Sequence, residues 1–401
     1  MKWRRNLYAA WLAQILSVTG FGFVLPFVPF YIQELGVTDP NQLRLWTGIL
    51  SSAPALSMAI MAPIWGLIAD RWGKKLMLLR AMFFGAIILS LLATTRTVQA
   101  VLVLRICQGL FTGTVTASAA LVATGTPRDK LGFALGLLSS STFIGISIGP
   151  AIGGFVAEWF GYRTSFLIGG GMLALGFIFV LLLVHEADSS VDEQTVPGQP
   201  SRPKLQKGTP RLITAGMIGL FLLILMLRFV RSLPIPFLPL YVQELRGQLA
   251  GSASTTGAIS AGRGLVTAIA AVTLTRFGDK HARLVVVGIL LAVAAVVSLP
   301  VFFASSLWSF AAILVAATFF LGGVEPLVQA ELSSRVVPGR RGLLFGVQTA
   351  VSNIGWFVSP LVGSLISIRF GIRYIFLTLT IFLFITVSVV AVVYARSKHH
   401  G

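Results

Sequence analysis

Six charged side chains lie inside long apolar stretches of the sequence, where charge is rare. They are four arginines and two glutamates: Arg105, Arg228, Arg231, Arg263, Glu325 and Glu331. A charge in an apolar helix is costly unless it faces a partner or water, so such residues commonly mark an ion or substrate pathway. A carboxylate there can carry a proton, and a group of arginines favours anionic or zwitterionic groups. The six residues predict a polar pathway through an otherwise apolar protein.

Residues suited to other chemistry are scarce. Cys107 is the one cysteine, which excludes an intramolecular disulfide framework and a multi-cysteine metal site. The four histidines lie in loops or at the chain end, at His185, His281, His399 and His400. Because the sequence shows no Ser/His/Asp set and no nucleotide-binding loop, we expect neither an enzyme nor a metal or cofactor site.

The composition is that of a membrane protein. Of 401 residues, 56% are hydrophobic and 11% are charged, whereas a soluble domain carries about a quarter charged residues. The net charge of +18 would also suit a nucleic-acid-binding protein. However, the basic residues lie in short loops between apolar stretches, not in one run or along one helix face. We therefore expect no nucleic-acid partner.

Twelve apolar stretches are long enough to cross a bilayer, for which a helix needs roughly 20 residues. They are continuous rather than alternately apolar and polar, which favours helices over a transmembrane β-barrel. The first is longer than the apolar core of a signal peptide, so we expect it to be retained as a span. The sequence thus predicts an all-α membrane protein with twelve transmembrane helices, at 7–33, 46–69, 76–95, 98–125, 131–157, 164–184, 211–243, 255–275, 284–303, 306–333, 342–367 and 373–395.

The chain divides into two halves that are related in sequence. Residues 185–210 contain four prolines and almost no apolar residue, which indicates a solvated linker. Residues 26–35, PFVPFYIQEL, match residues 236–245, PFLPLYVQEL, at an offset of 210. We therefore predict two pseudo-symmetric six-helix bundles, 1–184 and 211–401, joined by this linker.

The distribution of positive charge predicts the orientation in the membrane. Of the 31 lysines and arginines, 21 lie on the side of the two chain ends and the linker, and six lie on the opposite side. All eight lysines belong to the first group. By the positive-inside rule, both termini and the linker are predicted to be cytoplasmic, in a multi-pass protein of the cell membrane.

The connection between the second and third spans carries a recognisable motif. Residues 66–75 read GLIADRWGKK, which closely resembles the G-x-L-A-D-R-x-G-R/K-K loop of the major facilitator superfamily. The resemblance implies a gating loop that holds the two halves together on the cytoplasmic side. Its predicted gating residues are Gly66, Asp70, Arg71, Gly73 and Lys74. Alternatively, the segment is an ordinary positively charged loop with a turn.

Two further motifs suggest a proton antiporter. Residues 104–109, LRICQG, are similar to the family's R-x-x-Q-G motif, and in proton-coupled members the matching arginine, here Arg105, is implicated in proton transfer. The alternative is an arginine held by backbone carbonyls. Residues 145–154, GISIGPAIGG, resemble the antiporter signature G-x-x-x-G-P-x-x-G-G. Ordinary close packing of small residues is the alternative for the residues that carry it, Gly145, Gly149, Pro150, Gly153 and Gly154.

Taken together, the opening and the first loop most resemble the multidrug efflux transporters of the MdtG type. The resemblance implies proton-coupled efflux of drugs or amphipathic small molecules by a chain that is predicted to be monomeric and to contact membrane lipids. Alternatives are a lipid or glycolipid flippase or a metabolite exporter on the same fold, and more remotely a membrane enzyme or receptor. The implied cavity is lined by the first, fourth, seventh and tenth spans, with candidates Phe21, Phe23, Gln108, Phe111, Arg228, Phe229, Arg231, Arg263, Phe319 and Phe320.

The carboxylates inside the spans are the candidates for proton coupling. Glu325 precedes Pro326, which leaves polar backbone groups near the carboxylate. We predict that Glu325 is the protonation site and that Glu331 is second to it. The alternative for Glu325 is a static ion pair with one of the arginines of the seventh or eighth span. Such pairing, or pairing with lipid phosphate, would also remove the preference for anions that the arginines predict.

Overall fold

The computed structural model describes residues 2–127, 130–185, 215–334 and 341–398. Over these residues the chain is helical and has no β-strand. Two 3₁₀ turns, at Leu25–Phe27 and Leu299–Phe303, accompany the α-helices. The α-helices are α1 (Lys2–Gly22), α2 (Val28–Glu34), α3 (Pro40–Trp72), α4 (Lys74–Leu92), α5 (Val98–Phe111), α6 (Thr114–Gly125), α7 (Leu131–Phe160), α8 (Tyr162–Leu183), α9 (Ala215–Ser232), α10 (Leu238–Arg246), α11 (Ser252–Thr273), α12 (Thr275–Lys280), α13 (Arg283–Ser298), α14 (Leu307–Gly322), α15 (Val324–Ser334), α16 (Arg341–Phe370) and α17 (Arg373–Lys398).

Eleven segments among the described residues are long and apolar enough to cross a membrane. They coincide with eleven of the twelve predicted spans. The remaining prediction, 211–243, begins outside the described residues and continues as α9 and α10, which are separated by a short turn. The architecture therefore agrees with the predicted all-α membrane protein of twelve spans.

The first, fourth, seventh and tenth spans are each divided into two helices. Pro26 and Pro29 lie at the break between α1 and α2, because proline lacks the backbone N–H that a continuous helix needs. Pro236 and Pro239 lie at the equivalent break before α10, so the repeat extends to the position at which the span is interrupted. In the fourth span, Gly113 has a φ of +121°, a conformation that favours glycine. Broken helices of this kind expose polar backbone at membrane depth, where a cavity can use it.

The described ends of the chain lie on one side of the molecule. Near the start of α1, Arg5 Nε donates a hydrogen bond of 3.0 Å to a carbonyl at the end of α8. Near the start of the seventh span, Gly219 faces Val393 towards the end of α17. The first and seventh spans then run to the opposite side, where Gln33 and Gln243 meet. We call these the terminal side and the far side.

The two halves repeat the same aromatic packing. Tyr31 on α2 packs against Phe166 on α8, with ring centroids 4.9 Å apart. Their counterparts 210 residues later, Tyr241 on α10 and Phe376 on α17, are 5.0 Å apart. This equivalence supports an internal duplication. The predicted bundle boundaries at 184 and 211 remain a prediction, because the linker lies almost wholly outside the described residues.

Small residues on α7 allow other helices to approach closely. Gly145, Gly149 and Gly153 face α1, and a methyl group at Gly153 would overlap the carbonyl oxygen of Phe23. Gly154 faces the other way, against the start of α11 in the second half. The glycines of this motif therefore form a helix-packing surface, which was the alternative stated for them, and this surface fixes α7 between the two halves.

This packing predicts different costs for the same substitution at two positions of α7. Gly153→Ala should lower the thermal unfolding temperature in detergent, because the added methyl meets backbone and overpacking typically costs about 1–3 kcal/mol. The matched control is Gly136→Ala, since no heavy atom lies within 4 Å of the methyl that it would add. Equal unfolding temperatures for the two variants would contradict the packing described for α7.

Candidate substrate cavity and its charged residues

A cavity of about 460 Å³ lies between the two halves. Its volume falls in the range of small-molecule binding sites, roughly 300–1,000 Å³. The first half contributes residues of α1, α3, α5 and α7, and the second half contributes residues of α9, α11, α14, α16 and α17. Most of the lining is apolar, but four cationic side chains reach it: Arg105, Arg228, Arg231 and Arg263.

Hydrogen bonds between the halves close the cavity on the far side. Gln33 Nε2 donates to Gln243 Oε1 at 3.0 Å, and Gln243 Nε2 donates to Gln33 Oε1 at 3.2 Å. Because the two glutamines are 210 residues apart, this reciprocal pair joins equivalent positions of the repeat. Nearby, Arg44 Nη1 donates to the Ser367 carbonyl at 2.9 Å. Glu158 accepts a bond of 3.1 Å from a backbone N–H in the first turn of α11.

The halves separate towards the terminal side. Along α7, Ser147 is still in tight contact with Gly264 of α11. Closer to the terminal end of the same helix, Gly136 and Gly132 have no neighbouring atom within 4 Å of an added Cβ. The cavity is therefore closed on the far side, and the two helices that flank it diverge on the terminal side.

Arg105 is fixed within the first half by neutral acceptors. Its Nε donates to the Leu50 carbonyl of α3 at 2.9 Å, and its Nη1 donates to Gln108 Oε1 at 2.7 Å. Gly109 is in close contact with Pro54 on α3, which explains why the motif ends in glycine. The contacts of Arg105 are those of the alternative stated above, an arginine held by a backbone carbonyl. Since no carboxylate takes part in these bonds and Arg105 also lines the cavity, its charge remains available to a ligand.

The second half contains an ion pair at Glu325, which the sequence analysis gave as the alternative for this residue. Arg231 Nη1 is hydrogen-bonded to Glu325 Oε2, so Arg231 is the partner among the three arginines considered. Arg228 lines the same recess, a small cavity of about 20 Å³ beside the pair. Arg263 Nε donates instead to Thr318 Oγ1 at 3.3 Å. Among the described residues that line the two cavities, Glu325 is the one carboxylate among four arginines.

The recess beside the ion pair holds unsatisfied polar atoms. The Nε of Arg228 and the Oε1 of Gln348 are buried without a hydrogen-bond partner, and both residues line the recess together with Gln329 and Ser352. A cavity of about 20 Å³ is large enough for one water, which needs two or more polar partners. The recess therefore offers a polar route from the carboxylate towards the terminal side.

Glu331, the second carboxylate predicted for proton coupling, lies apart from the cavity. It is on α15 with Glu325 but pairs with Arg283 at the start of α13, at 4.0 Å. Neither of the two cavities includes it in its lining. The arrangement favours a structural role for Glu331.

The predicted gating loop is a tight connection between α3 and α4. Gly73 joins the helices with a φ of +93°, and Gly66 has no atom within 4 Å of an added Cβ. Arg71 is exposed and Lys74 is half-buried. The side chain of Asp70 lies outside what the structure describes, so the latch remains a prediction.

The phenylalanines predicted to line the cavity lie in different environments. Phe21 lines the cavity, whereas Phe23 is 2% exposed and belongs to the core of the first half. Phe229 is 5% exposed and stacks on Phe382, with ring centroids 4.6 Å apart. Phe21 lies in the last turn of α1 and Phe23 just beyond its end, so the two side chains point in different directions.

The remaining candidates pack inside their own halves, and the structure does not place them in the lining. Phe111 stacks on Phe84 with centroids 4.7 Å apart, and Phe319 and Phe320 pack against each other at 5.4 Å. Gln108 is not in the lining, but its side chain accepts a hydrogen bond from Arg105, which does reach the cavity. Lining residues that the sequence did not suggest include Phe143, Trp356 and Phe376. They lie in the fifth, eleventh and twelfth spans, and nothing in their sequence context marks the helix face that they occupy.

A membrane-spanning helical protein with two related halves around a central cavity closed on one side is a secondary transporter. The chain belongs to the Major Facilitator Superfamily, whose family model matches residues 10–247 and 220–401. Multidrug resistance protein MdtG of Dickeya zeae (strain Ech586) is 34% identical over 383 residues, which cover 94% of this chain and 91% of the relative. The protein of the same name from Proteus mirabilis (strain HI4320) is 32% identical over 378 residues, covering 93% and 92%.

Solved structures share the fold at low sequence identity. A bacterial homologue of the human lysosomal transporter Spinster, in an inward-facing and occupied conformation, superposes with a TM-score of 0.78 at 15% identity, covering 97% of this chain and 96% of that one. The human organic anion transporter MFSD10 (TETRAN) gives a TM-score of 0.72 at 17% identity, covering 97% and 100%.

The far-side closure predicts that transport requires Gln33 and Gln243 to separate. In a Cys107→Ala background, Gln33→Cys/Gln243→Cys treated with a short cleavable bifunctional thiol reagent should lose dye transport in vesicles and regain it on cleavage. The same variant treated with a monofunctional thiol reagent of similar size is the control. Unchanged transport after complete cross-linking would show that this contact does not open during the cycle.

Proposed function

We propose that the protein exports amphipathic small molecules in exchange for protons, by alternating access of the central cavity. The observation that carries the proposal is the Arg231–Glu325 pair at the edge of an apolar cavity that holds three further arginines. The names of the curated relatives, multidrug resistance proteins, agree with export of such compounds. No enzymatic reaction forms part of the proposal.

In the proposed cycle, Glu325 is the group that carries the proton. The structure, closed on the far side, shows Glu325 paired with Arg231, a contact that is strongest when the carboxylate is ionised. This state is the one to which substrate binds. On the opposite side of the cycle, proton uptake by Glu325 ends the ion pair and accompanies substrate release.

The arginines that do not pair with Glu325 are proposed to bind the polar part of the substrate. Arg105, Arg228 and Arg263 reach the cavity from both halves, so a bound anionic group would connect the halves electrostatically. This arrangement favours anionic or zwitterionic amphipathic compounds over lipophilic cations. A metabolite exporter or a flippase that moves an anionic lipid headgroup is the second candidate that the same charges favour.

The proposal also covers the oligomeric state of the protein, its orientation in the membrane and the route of the proton. Each chain contains a complete cavity, which supports a monomeric transporter surrounded by lipid. The excess of positive charge on the terminal side supports termini in the cytoplasm and a position in the cell membrane. The recess lined by Gln329 and Gln348 is then the route by which the proton leaves to the cytoplasm.

Proton counterflow in proteoliposomes tests the proposal. With the purified wild-type protein, a gradient of an anionic amphipathic dye should drive proton movement in the opposite direction, recorded with a trapped pH indicator. Glu325→Gln should abolish the proton movement, because the amide cannot titrate. Glu331→Gln is the matched control and should keep it, because its partner Arg283 lies apart from the cavity.

The two variants and the two dyes show which part of the proposal is wrong if the expected result is not obtained. Full proton movement with Glu325→Gln would exclude Glu325 from coupling, and loss with Glu331→Gln alone would move the proton site there. Equal rates for an anionic and a cationic dye would contradict the proposed charge preference while leaving antiport in place. Dye movement that ignores a pH gradient would contradict antiport itself.

A further inference from the structure

Helix α11 makes close backbone contacts with two different parts of the molecule. It belongs to the second half, but its far-side part packs against α7 of the first half. A methyl group added at Gly257 would overlap the Pro150 carbonyl oxygen of α7. Further along α11, a methyl group at Gly264 would lie 3.0 Å from Ser147 Cα. A change in how the two halves meet on the far side therefore acts on α11 directly.

The terminal-side part of α11 packs against the break between α14 and α15. A methyl group added at Gly322 would lie 2.8 Å from Ala270 Cβ and 3.0 Å from Thr267 Cα. At Gly323, the nearest atom to an added methyl would be Leu274 Cβ, at 2.7 Å. Small residues are needed for so close an approach, because a larger one would push the helices apart. The position of α11 therefore constrains where α15 begins.

The start of α15 carries the ion-paired carboxylate. Glu325 lies two residues after Gly323, in the first turn of α15, whereas its partner Arg231 lies on α9. Because the pair joins two different helices, a shift of the start of α15 relative to α9 changes the contact between the guanidinium and the carboxylate. Such a shift also changes how strongly the ionised form of Glu325 is stabilised, since that form depends on the nearby cation.

The equivalent region of the first half is built differently. The helix equivalent to α11 is α3, which contains two internal prolines, whereas α11 contains none and can move as one body. At Gly113, the equivalent of Gly323, the nearest atom to an added methyl lies 3.5 Å away and belongs to the same span. The equivalent of Glu325 is Val115. The close contact between an uninterrupted helix and a broken span thus occurs in the half that carries the carboxylate.

We propose that α11 transmits the state of the far-side closure to Glu325, and that Gly322 and Gly323 are the positioning residues through which it does so. When the far side is closed, α7 holds α11 in the position at which Arg231 and Glu325 meet. When the halves separate there, α11 shifts relative to α9 and the ion pair weakens. Packed helices with two arrangements can carry such coupling between distant sites. The inference rests on the proposed function and deepens it, since it gives the means by which the conformation controls the group that carries the proton.

Infrared spectroscopy of two fixed forms of the protein tests the inference. In the Cys107→Ala background, Gln33→Cys/Gln243→Cys is cross-linked with a short bifunctional thiol reagent, which holds the far side closed. Alternatively, both cysteines are labelled with a bulky monofunctional reagent, which keeps the far side apart. At a pH where part of the Glu325 population is protonated, the C=O absorption that is lost in Glu325→Gln measures the protonated fraction. The ratio of protonated to ionised Glu325 should be about tenfold lower in the cross-linked form, because only there is the cation held next to the carboxylate.

Substitution of one glycine should remove the difference between the two forms. Gly322→Ala should reduce it to less than about twofold, because the added methyl moves the break away from α11. Gly262→Ala is the matched control on α11: the nearest atom to its methyl is Val315 Cγ2, at an ordinary contact distance of 3.6 Å, so the full difference should remain. The double variant Gly322→Ala/Ala270→Gly transfers a methyl group from one helix to the other and should restore the difference.

The outcomes distinguish this inference from the proposed function. Equal protonated fractions in the two fixed forms would overturn it, because the closure would then not reach Glu325. A full difference in Gly322→Ala, or no recovery in the double variant, would overturn the role of the glycines. If Gly322→Ala does not fold, Ala270→Gly decides, since it loosens the same contact without adding an atom and should reduce the difference. The measurement needs no substrate, so a failure of antiport, seen as missing proton counterflow in proteoliposomes, would leave its result intact.

Discussion

Among the described residues that line the central cavity and its recess, four arginines share one carboxylate, and the compensation of their charge constrains the rest of the site. A buried cation without a counter-ion is costly at membrane depth. The protein meets this cost in three ways: Arg105 is held by a carbonyl and an amide, Arg263 by a threonine hydroxyl, and Arg231 by Glu325. Only the last of these contacts neutralises charge. The cavity therefore keeps a positive surplus, which an anionic group of a substrate can offset.

Which arginine binds the substrate anion determines whether substrate and proton move in the same direction or in opposite directions. If a substrate anion takes Arg231 from Glu325, the carboxylate loses its partner, so substrate and proton favour each other's binding, as in a symporter. If the anion binds Arg105, Arg228 and Arg263, its charge by itself favours protonation of Glu325. Antiport then requires the substrate to bind selectively to the conformation in which the Arg231–Glu325 pair is formed, so that substrate binding stabilises the ionised carboxylate through the conformation. Linkage is reciprocal, so proton uptake then weakens substrate binding, as antiport requires. Antiport thus depends on the ion pair surviving substrate binding.

The sequence predicted the helical spans well and the residues that line the cavity poorly. Apolar length and the 210-residue repeat were enough to predict the spans. The position of a residue along a span gives its depth, which is why Arg105 and Arg231 were found. Depth does not give the helix face, which depends on tertiary packing, so the sequence could not separate Phe21, which lines the cavity, from Phe23, which lies in the core.

Infrared difference spectroscopy tests the central claim, that Glu325 ionises when substrate binds, most directly. Substrate is added to the purified protein at a pH where part of the Glu325 population is protonated, and the C=O absorption of protonated carboxyl groups is followed. The account predicts that this absorption decreases and that the change disappears in Glu325→Gln. An increase in the same absorption, or a decrease that persists in Glu325→Gln, would contradict it.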